Sequence, residues 1–283
     1  MMNTQIAPRL FAPVFALLLA VTSPTAALAL GAPAPDLWDR WTAHDPGSST
    51  TVDHEPWNRF LARHLVAGDD GVNRIAYGRV DATDRAALKA YIAGLAATPV
   101  SGLSRAEQMP YWINLYNALT VDVVLDHHPV ASIRDIDISP GFFADGPWGR
   151  KLLEIEREQV SLDDIEHRIL RPIWRDPRIH YAVNCAALGC PNLMPQAFTA
   201  DTIEAMLDAG ARAFVNHPRG ARVDGGRLVV SSIYQWFDED FGGNDAGVIA
   251  HLRQYAEPPL AASLNGTDRI YDDAYDWSLN EVP

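Results

Sequence analysis

The sequence predicts an α+β fold: a single domain with a buried central helix packed against a small, mostly antiparallel sheet and surrounded by further helices. Helical and extended patterns are mixed without the regular alternation that builds a parallel α/β sheet. One long helical stretch, from Ser104 to about Asp126, is apolar all round its cylinder and so belongs in the interior. Asp224-Gly225-Gly226 between two extended arms marks an antiparallel hairpin.

Residues 1–29 have the three parts of a secretory signal. The cation Arg9 precedes an apolar run from Leu10 to Val21, followed by Ser23-Pro24 and the small-residue pattern Ala27-Leu28-Ala29. The run is shorter than the roughly 20 residues that span hydrocarbon, so cleavage after Ala29 is expected rather than anchoring. No Cys lies near that cut, which argues against a lipid-modified N-terminus. The expected address is therefore periplasmic or secreted, with no membrane insertion after signal cleavage. Residues 30–52 are rich in Pro, Gly, Ser and Thr and read as a flexible leader, strapped down at most by Trp38 and Trp41. The globular domain is expected over residues 53–283.

Within the domain, Trp57, Phe60, Leu61 and Leu65 have helical spacing over Pro56 to Ala67. A short extended stretch, Arg74 to Val80, leads to a helix from about Asp84 to Ala97, which Pro99 and Gly102 end. The central helix opens with Ser104 and Glu107 as a capping box, carries Pro110 where a bend is expected, and stops before Pro129. Lys151 to Glu156 reads as a strand. Ser161-Leu162-Asp163-Asp164 opens a helix to about Trp174. Arg178 to Cys185 reads as a second strand, with Ile179, Tyr181, Val183 and Cys185 on one face and His180 and Asn184 on the other. Asp201 caps a helix to about Asn216, with Glu204 at the reciprocal position. The hairpin of Arg222 to Ser231 follows, then short helices near Ile233–Phe241 and Ala246–Tyr255 and a polar tail closing in YDDAYDWSLN.

The formal charge is −13, and losing Arg9 with the signal makes the remainder more acidic still. Such a chain repels nucleic acid and anionic lipid, so neither is an expected partner. Glycine-rich phosphate loops, GxSxG elbows, HExxH motifs and Cys/His finger spacings are absent. No cofactor or metal is expected, and the partner is an unknown small molecule or peptide. Asn265-Gly266-Thr267 is a glycosylation sequon, relevant only in a eukaryotic host.

The candidate chemistry gathers in a few places. Asn114 and Asn117 lie three apart on one face of the buried helix. An unpartnered buried amide costs about 1–3 kcal/mol, so they either tie the helix to a neighbouring loop or line a polar binding pocket. Cys185 and Cys190 are the two cysteines, separated by Ala-Ala-Leu-Gly. Beside His180 a sulfur can become a nucleophile, because imidazole lowers the thiol pKa and takes its proton. Asn184, Asn117 or Glu166 could then orient the ring. In an oxidising compartment the same two thiols can close a disulfide, whose short loop contributes roughly 2 kcal/mol. Glu166 and His167 are helix neighbours that diverge by about 100° and are not expected to face one small site. Trp236, Asp240 and Phe241 read as an aromatic helix face with its acidic residues in solvent.

The segments YWINLYNALTV (111–121), SLDDIEHRILR (161–171), DPRIHYAVNCAALGCP (176–191), SSIYQWFDEDF (231–241) and YDWSLN (275–280) resemble, in this order, the family called domain of unknown function 547 (DUF547). The resemblance extends over about residues 86–280. It implies no agreed activity. It does imply that Asn114, Asn117, Glu166, His180, Asn184, Cys185, Cys190 and Pro191 sit in the family's recurring motifs. Together these readings point to an exported protein acting as a thiol-dependent hydrolase or acyl-transfer enzyme, with Cys190 or Cys185 as nucleophile and His180 as its base. The alternative is a non-catalytic envelope or binding module with a Cys185–Cys190 disulfide.

Overall fold

The computed structural model describes Met1 and residues 33–141 and 145–283, so the expected signal segment, apart from Met1, lies outside the described residues. The domain is built round one helix. Helix α1 (Glu55–His64) leads through the antiparallel pair β1 (Leu65–Ala67) and β2 (Asn73–Ile75) to α2 (Ala82–Ala97). Helix α3 (Arg105–His127) follows, and every residue from Glu107 to Val121 is buried. Burying a large apolar side chain contributes about 1.5–3 kcal/mol, so this stretch dominates the stability of the core. The Ser104 hydroxyl accepts the Glu107 N–H at 3.3 Å, but the Glu107 carboxylate turns away to accept the Val52 N–H at 2.7 Å. The expected capping box is thus half made, its second half spent on the incoming chain. The helix runs through Pro110 unbroken.

Residues 33–52 lie along the domain. Asp36 and Trp38 donate backbone N–H bonds to the carbonyls of His167 and Arg168, and Trp41, 1% exposed, packs edge-on to Trp112 at 5.1 Å.

Strands β3 (Leu153–Ile155) and β4 (Glu158–Val160) form a second antiparallel pair. The segment after Ser161 is helical as expected, but Asp164–Leu170 is a π-helix, continuing into the α-helical turn α4 (Arg171–Trp174). Helix α5 (Ile203–Val215) starts from Thr202 without a side-chain cap, so Asp201 does not serve as one. Strands β5 (Ala221–Asp224) and β6 (Arg227–Ser231) are the expected hairpin. Its turn, Gly225-Gly226, has φ of 56° and 78°, which a primed hairpin turn demands and glycine supplies without strain. Short helices α6 (Ile233–Trp236), α7 (Asp245–Tyr255) and α8 (Pro258–Ser263) precede β7 (Asp272–Ala274), which pairs parallel to β6. The α+β class is as the sequence predicts, with the strands distributed over three small sheets. Among the described residues no helix is long and apolar enough to cross a membrane.

Arg178–Cys185 is not a strand: Pro177–Tyr181 is a 3-10 helix. Two apolar clusters explain the misleading alternation. Ile179 and Val183 enter the cluster round α3, whereas Tyr181 enters a second cluster with Phe214, Val230, Phe241 and Leu252. One short helical turn feeds both cores, and His180 lies on the seam between them. The closing polar tail is also structural. Leu279 and Asn280 are buried, and Asn280 bridges β2 to the Cys loop through its backbone bonds with Ile75 and Ala186.

Candidate functional site

The loop from Asn184 to Pro191 is held by amides. Asn117, on α3, donates to Ala182 O at 2.9 Å and accepts the Asn184 N–H at 2.8 Å. Asn184 accepts the Ala186 N–H at 2.9 Å, donates to Pro191 O at 2.7 Å and receives the Asn280 amide at 3.2 Å. Asn280 in turn accepts from the Tyr77 hydroxyl at 2.9 Å. Asn114 makes a separate clamp, donating to Phe198 O at 2.8 Å and accepting Phe198 N–H at 3.0 Å. Of the two roles open to Asn114 and Asn117, the geometry is that of tying the helix to neighbouring loops. The clamped loop holds Ala186 at φ 59°, fully buried, in a left-handed conformation that a Cβ disfavours by about 1 kcal/mol.

That loop brings the two sulfurs together. Cys185 Sγ and Cys190 Sγ are 2.9 Å apart, with both residues as free thiols. The Cys185 backbone N–H also points at Cys190 Sγ, at 2.9 Å, and the Tyr275 hydroxyl lies 2.9 Å from Cys185 Sγ. Burial pushes the Cys190 thiol up, but the Cys185 thiol and N–H, the Tyr275 hydroxyl and the Arg219 charge outweigh it, so its pKa is lowered. The hydrogen bond to Cys190 and burial push the Cys185 thiol well up. These groups favour Cys190 over Cys185 as the sulfur that gives up its proton first.

His180 is engaged elsewhere. It is 3% exposed, its Nε2 lies 2.7 Å from Asp240 Oδ2 and its Nδ1 lies 3.7 Å from Glu166 Oε1. Phe237 stacks on the ring at 4.3 Å. Among the described residues neither sulfur is hydrogen-bonded to His180, so the expected imidazole–thiol pair is not formed. Burial opposes protonation of His180, yet its bonds to Asp240 and Glu166 outweigh it and raise its pKa, so the two carboxylates favour the protonated ring. Burial raises the Glu166 pKa, but His167, His180 and the Tyr116 hydroxyl outweigh it and hold the carboxyl at about 2.

Asp240 and Arg171 are the partners that sequence reasoning missed. Asp240 is not simply solvated: it accepts from Arg171 Nε at 2.6 Å as well as facing His180. The Arg171 side chain is 1% exposed and reaches Glu239, Pro33 O and His167 Nδ1 besides. His167, contrary to the divergence expected for helix neighbours, is buried beside Glu166 and packs on Phe237 at 5.7 Å. The wider π turn, closed by Arg171 N–H to Glu166 O, turns both toward one site. π-turns recur at functional positions for such reasons. The signal for Asp240 lay in SSIYQWFDEDF, and that for Tyr275 in the closing YDWSLN.

A cavity of about 370 Å³ opens on the other side of Tyr275. Its walls include Arg74, Leu188, Gly189, His217, Arg219 and Tyr275. Leu188 and Gly189 belong to the loop between the cysteines. A Cβ on Gly189 would sit 2.7 Å from Asp276 N and 2.9 Å from Tyr275 Cγ, so only glycine lets this loop close against Tyr275.

Compared with known proteins, residues 100–215 match the family model described as protein of unknown function, DUF547. The match spans α3, the π-helix, the His180 turn, both cysteines and α5; it takes in three of the five motifs that carry the resemblance, and those at 231–241 and 275–280 lie outside it. No curated protein and no solved structure matches the chain.

Proposed function

From the premise that residues 100–215 are a DUF547 segment, whose description assigns no activity, we propose an exported protein whose working group is the Cys185–Cys190 thiol pair, engaged in thiol–disulfide exchange. The observation that carries this reading is the 2.9 Å approach of the two sulfurs, with an N–H aimed at Cys190. A dithiol needs no separate base. With Cys190 as the thiolate, Cys185, the less buried of the two residues, passes its proton to Cys190 and attacks an external disulfide, releasing one thiolate. Cys190 then gives its proton to the departing sulfur and attacks Cys185, releasing the second. Two electrons pass to the external disulfide, and the chain keeps a Cys185–Cys190 bond. The reduced pair and the disulfide-bridged module foreseen from the sequence thus become two states of one centre.

Acyl transfer with His180 as base is the less favoured version, because both ring nitrogens face carboxylates and neither is turned to a sulfur. Reduced protein incubated with a small disulfide should lose both thiols together. Cys185→Ser and Cys190→Ser should each stop at a mixed disulfide or remain unreacted. Native thiols that stay inert where the unfolded chain reacts would overturn the proposal. For export, the supporting pattern is the apolar run and Ala27-Leu28-Ala29. N-terminal sequencing of the protein recovered outside the cytoplasm should begin at Leu30, and an intact Met1 there would contradict it.

A further inference from the structure

We infer that the 370 Å³ cavity beside Tyr275 is a small-anion site in which Arg219 receives a carboxylate. The volume is that of a small-molecule site. The cavity is assembled from parts far apart in sequence: the β1–β2 loop, the Cys loop, the α5–β5 connection and the segment after β7. The cations on its wall differ in how they are neutralised. Arg74 bonds Asp70 through both terminal nitrogens, at 2.8 and 2.6 Å, and Arg222 bonds Asp224 at 2.8 Å. Arg219 has no carboxylate within salt-bridge distance among the described residues. It is anchored by Leu188 O at 2.8 Å and Asn192 Oδ1 at 2.6 Å, and its Nε is buried without an acceptor. Two of its five N–H groups are used, which leaves charge and donors for a ligand.

His217 is held at both ring nitrogens. Its Nδ1 accepts the Arg219 N–H at 3.1 Å and its Nε2 faces Asp70 O at 2.8 Å. It shapes the wall and holds the Arg219 backbone. In a chain of net charge −13, a guanidinium without a salt bridge at a cavity stands against the prevailing field, including the wall's own Asp70 and Asp276, and it selects anions from a mixed pool.

The cavity also identifies what the thiol centre meets. Tyr275 forms part of the wall, and its hydroxyl lies 2.9 Å from Cys185 Sγ. Leu188 and Gly189 place the Cys loop itself on the wall. A small disulfide bearing a carboxylate could rest that group on Arg219 and reach past Tyr275 toward Cys185. The anion site rests on the cavity, whereas the disulfide character of its ligand rests on the thiol reading above.

The test separates the two. The double variant Cys185→Ser/Cys190→Ser removes the exchange chemistry and is titrated calorimetrically with dithiodipropionate, an anionic disulfide, and with bis(hydroxyethyl) disulfide, its neutral counterpart. The anionic probe should bind at least about tenfold tighter, since charged hydrogen bonds are the strong ones. Arg219→Gln should erase the preference and Arg219→Lys should retain part of it, while unchanged circular dichroism shows each variant folded. Equal binding of the two probes, or binding of neither, overturns the anion site and leaves the thiol reading standing. A clear preference for the anion alongside inert thiols in the native chain keeps the site and rejects its disulfide ligand.

Discussion

Arg171 and His180 lie in the interior beside Glu166 and Asp240, and the pH dependence of stability follows from that arrangement. The His180 pKa is raised, so its bonds add stability below the unfolded imidazole value of about 6.5. That contribution is lost as pH rises through the folded value. His54, His167 and His251 are the reverse case, with burial as the first cause holding each down at about 4. Their stability is present above about 6.5 and lost as pH falls toward 4. Glu166 and Asp240, both lowered, lose theirs at still lower pH. Thermal unfolding should therefore show a maximum near the ordinary histidine pKa. His180→Gln should destabilise by about 3 kcal/mol, the scale of breaking a buried ion pair, and flatten the alkaline limb. An alkaline limb identical to the wild type would contradict the assignment of charge to His180. At this scale the sequence was only partly legible. Its motifs singled out His180 and Glu166, but the choice of partner for a buried charge is made by tertiary packing, and Asp240 looked like any solvated acid in an acidic run.

Among the elements, the Cys loop shows most directly how a local conflict is resolved by its surroundings. Ala186 occupies a left-handed conformation, at φ 59°, because Asn184 takes its N–H and Asn280 takes its carbonyl. Such strain persists only where neighbouring contacts over-determine it. Ala186→Gly should relieve it and raise stability by up to about 1 kcal/mol, readable as a higher denaturant midpoint with unchanged slope; a lower midpoint would mean that the amide clamp imposes no strain. The long helix was legible because its apolar surround leaves one physical reading, and the hairpin because Gly225-Gly226 fits one turn. The His180 segment was not. Its alternation of Ile179, Tyr181 and Val183 satisfies a strand pattern equally well, and only the existence of two separate apolar clusters makes it a helical turn. The π-helix was equally hidden, since nothing in SLDDIEHRILR distinguishes an i+5 turn from an i+4 one.

For the whole molecule, the two apolar clusters meet at the His180 turn, and the thiol loop hangs from that seam by Asn117 and Asn184. The sulfurs are thus tied to a buried amide network and, through Tyr275 and Leu188-Gly189, to the cavity that Arg219 lines. The proposed export decides which redox state the pair rests in, because disulfides persist outside the cytoplasm. The direct measurement is the alkylation rate of the reduced, folded protein as a function of pH, with the modified cysteine located by mass spectrometry. The pair should begin to titrate below the ordinary thiol range of about 8.5, and that early step should disappear in Cys190→Ser. A first titration at or above the ordinary value, or one unaltered by Cys190→Ser, would contradict an anionic Cys190 and with it the exchange chemistry proposed for this centre.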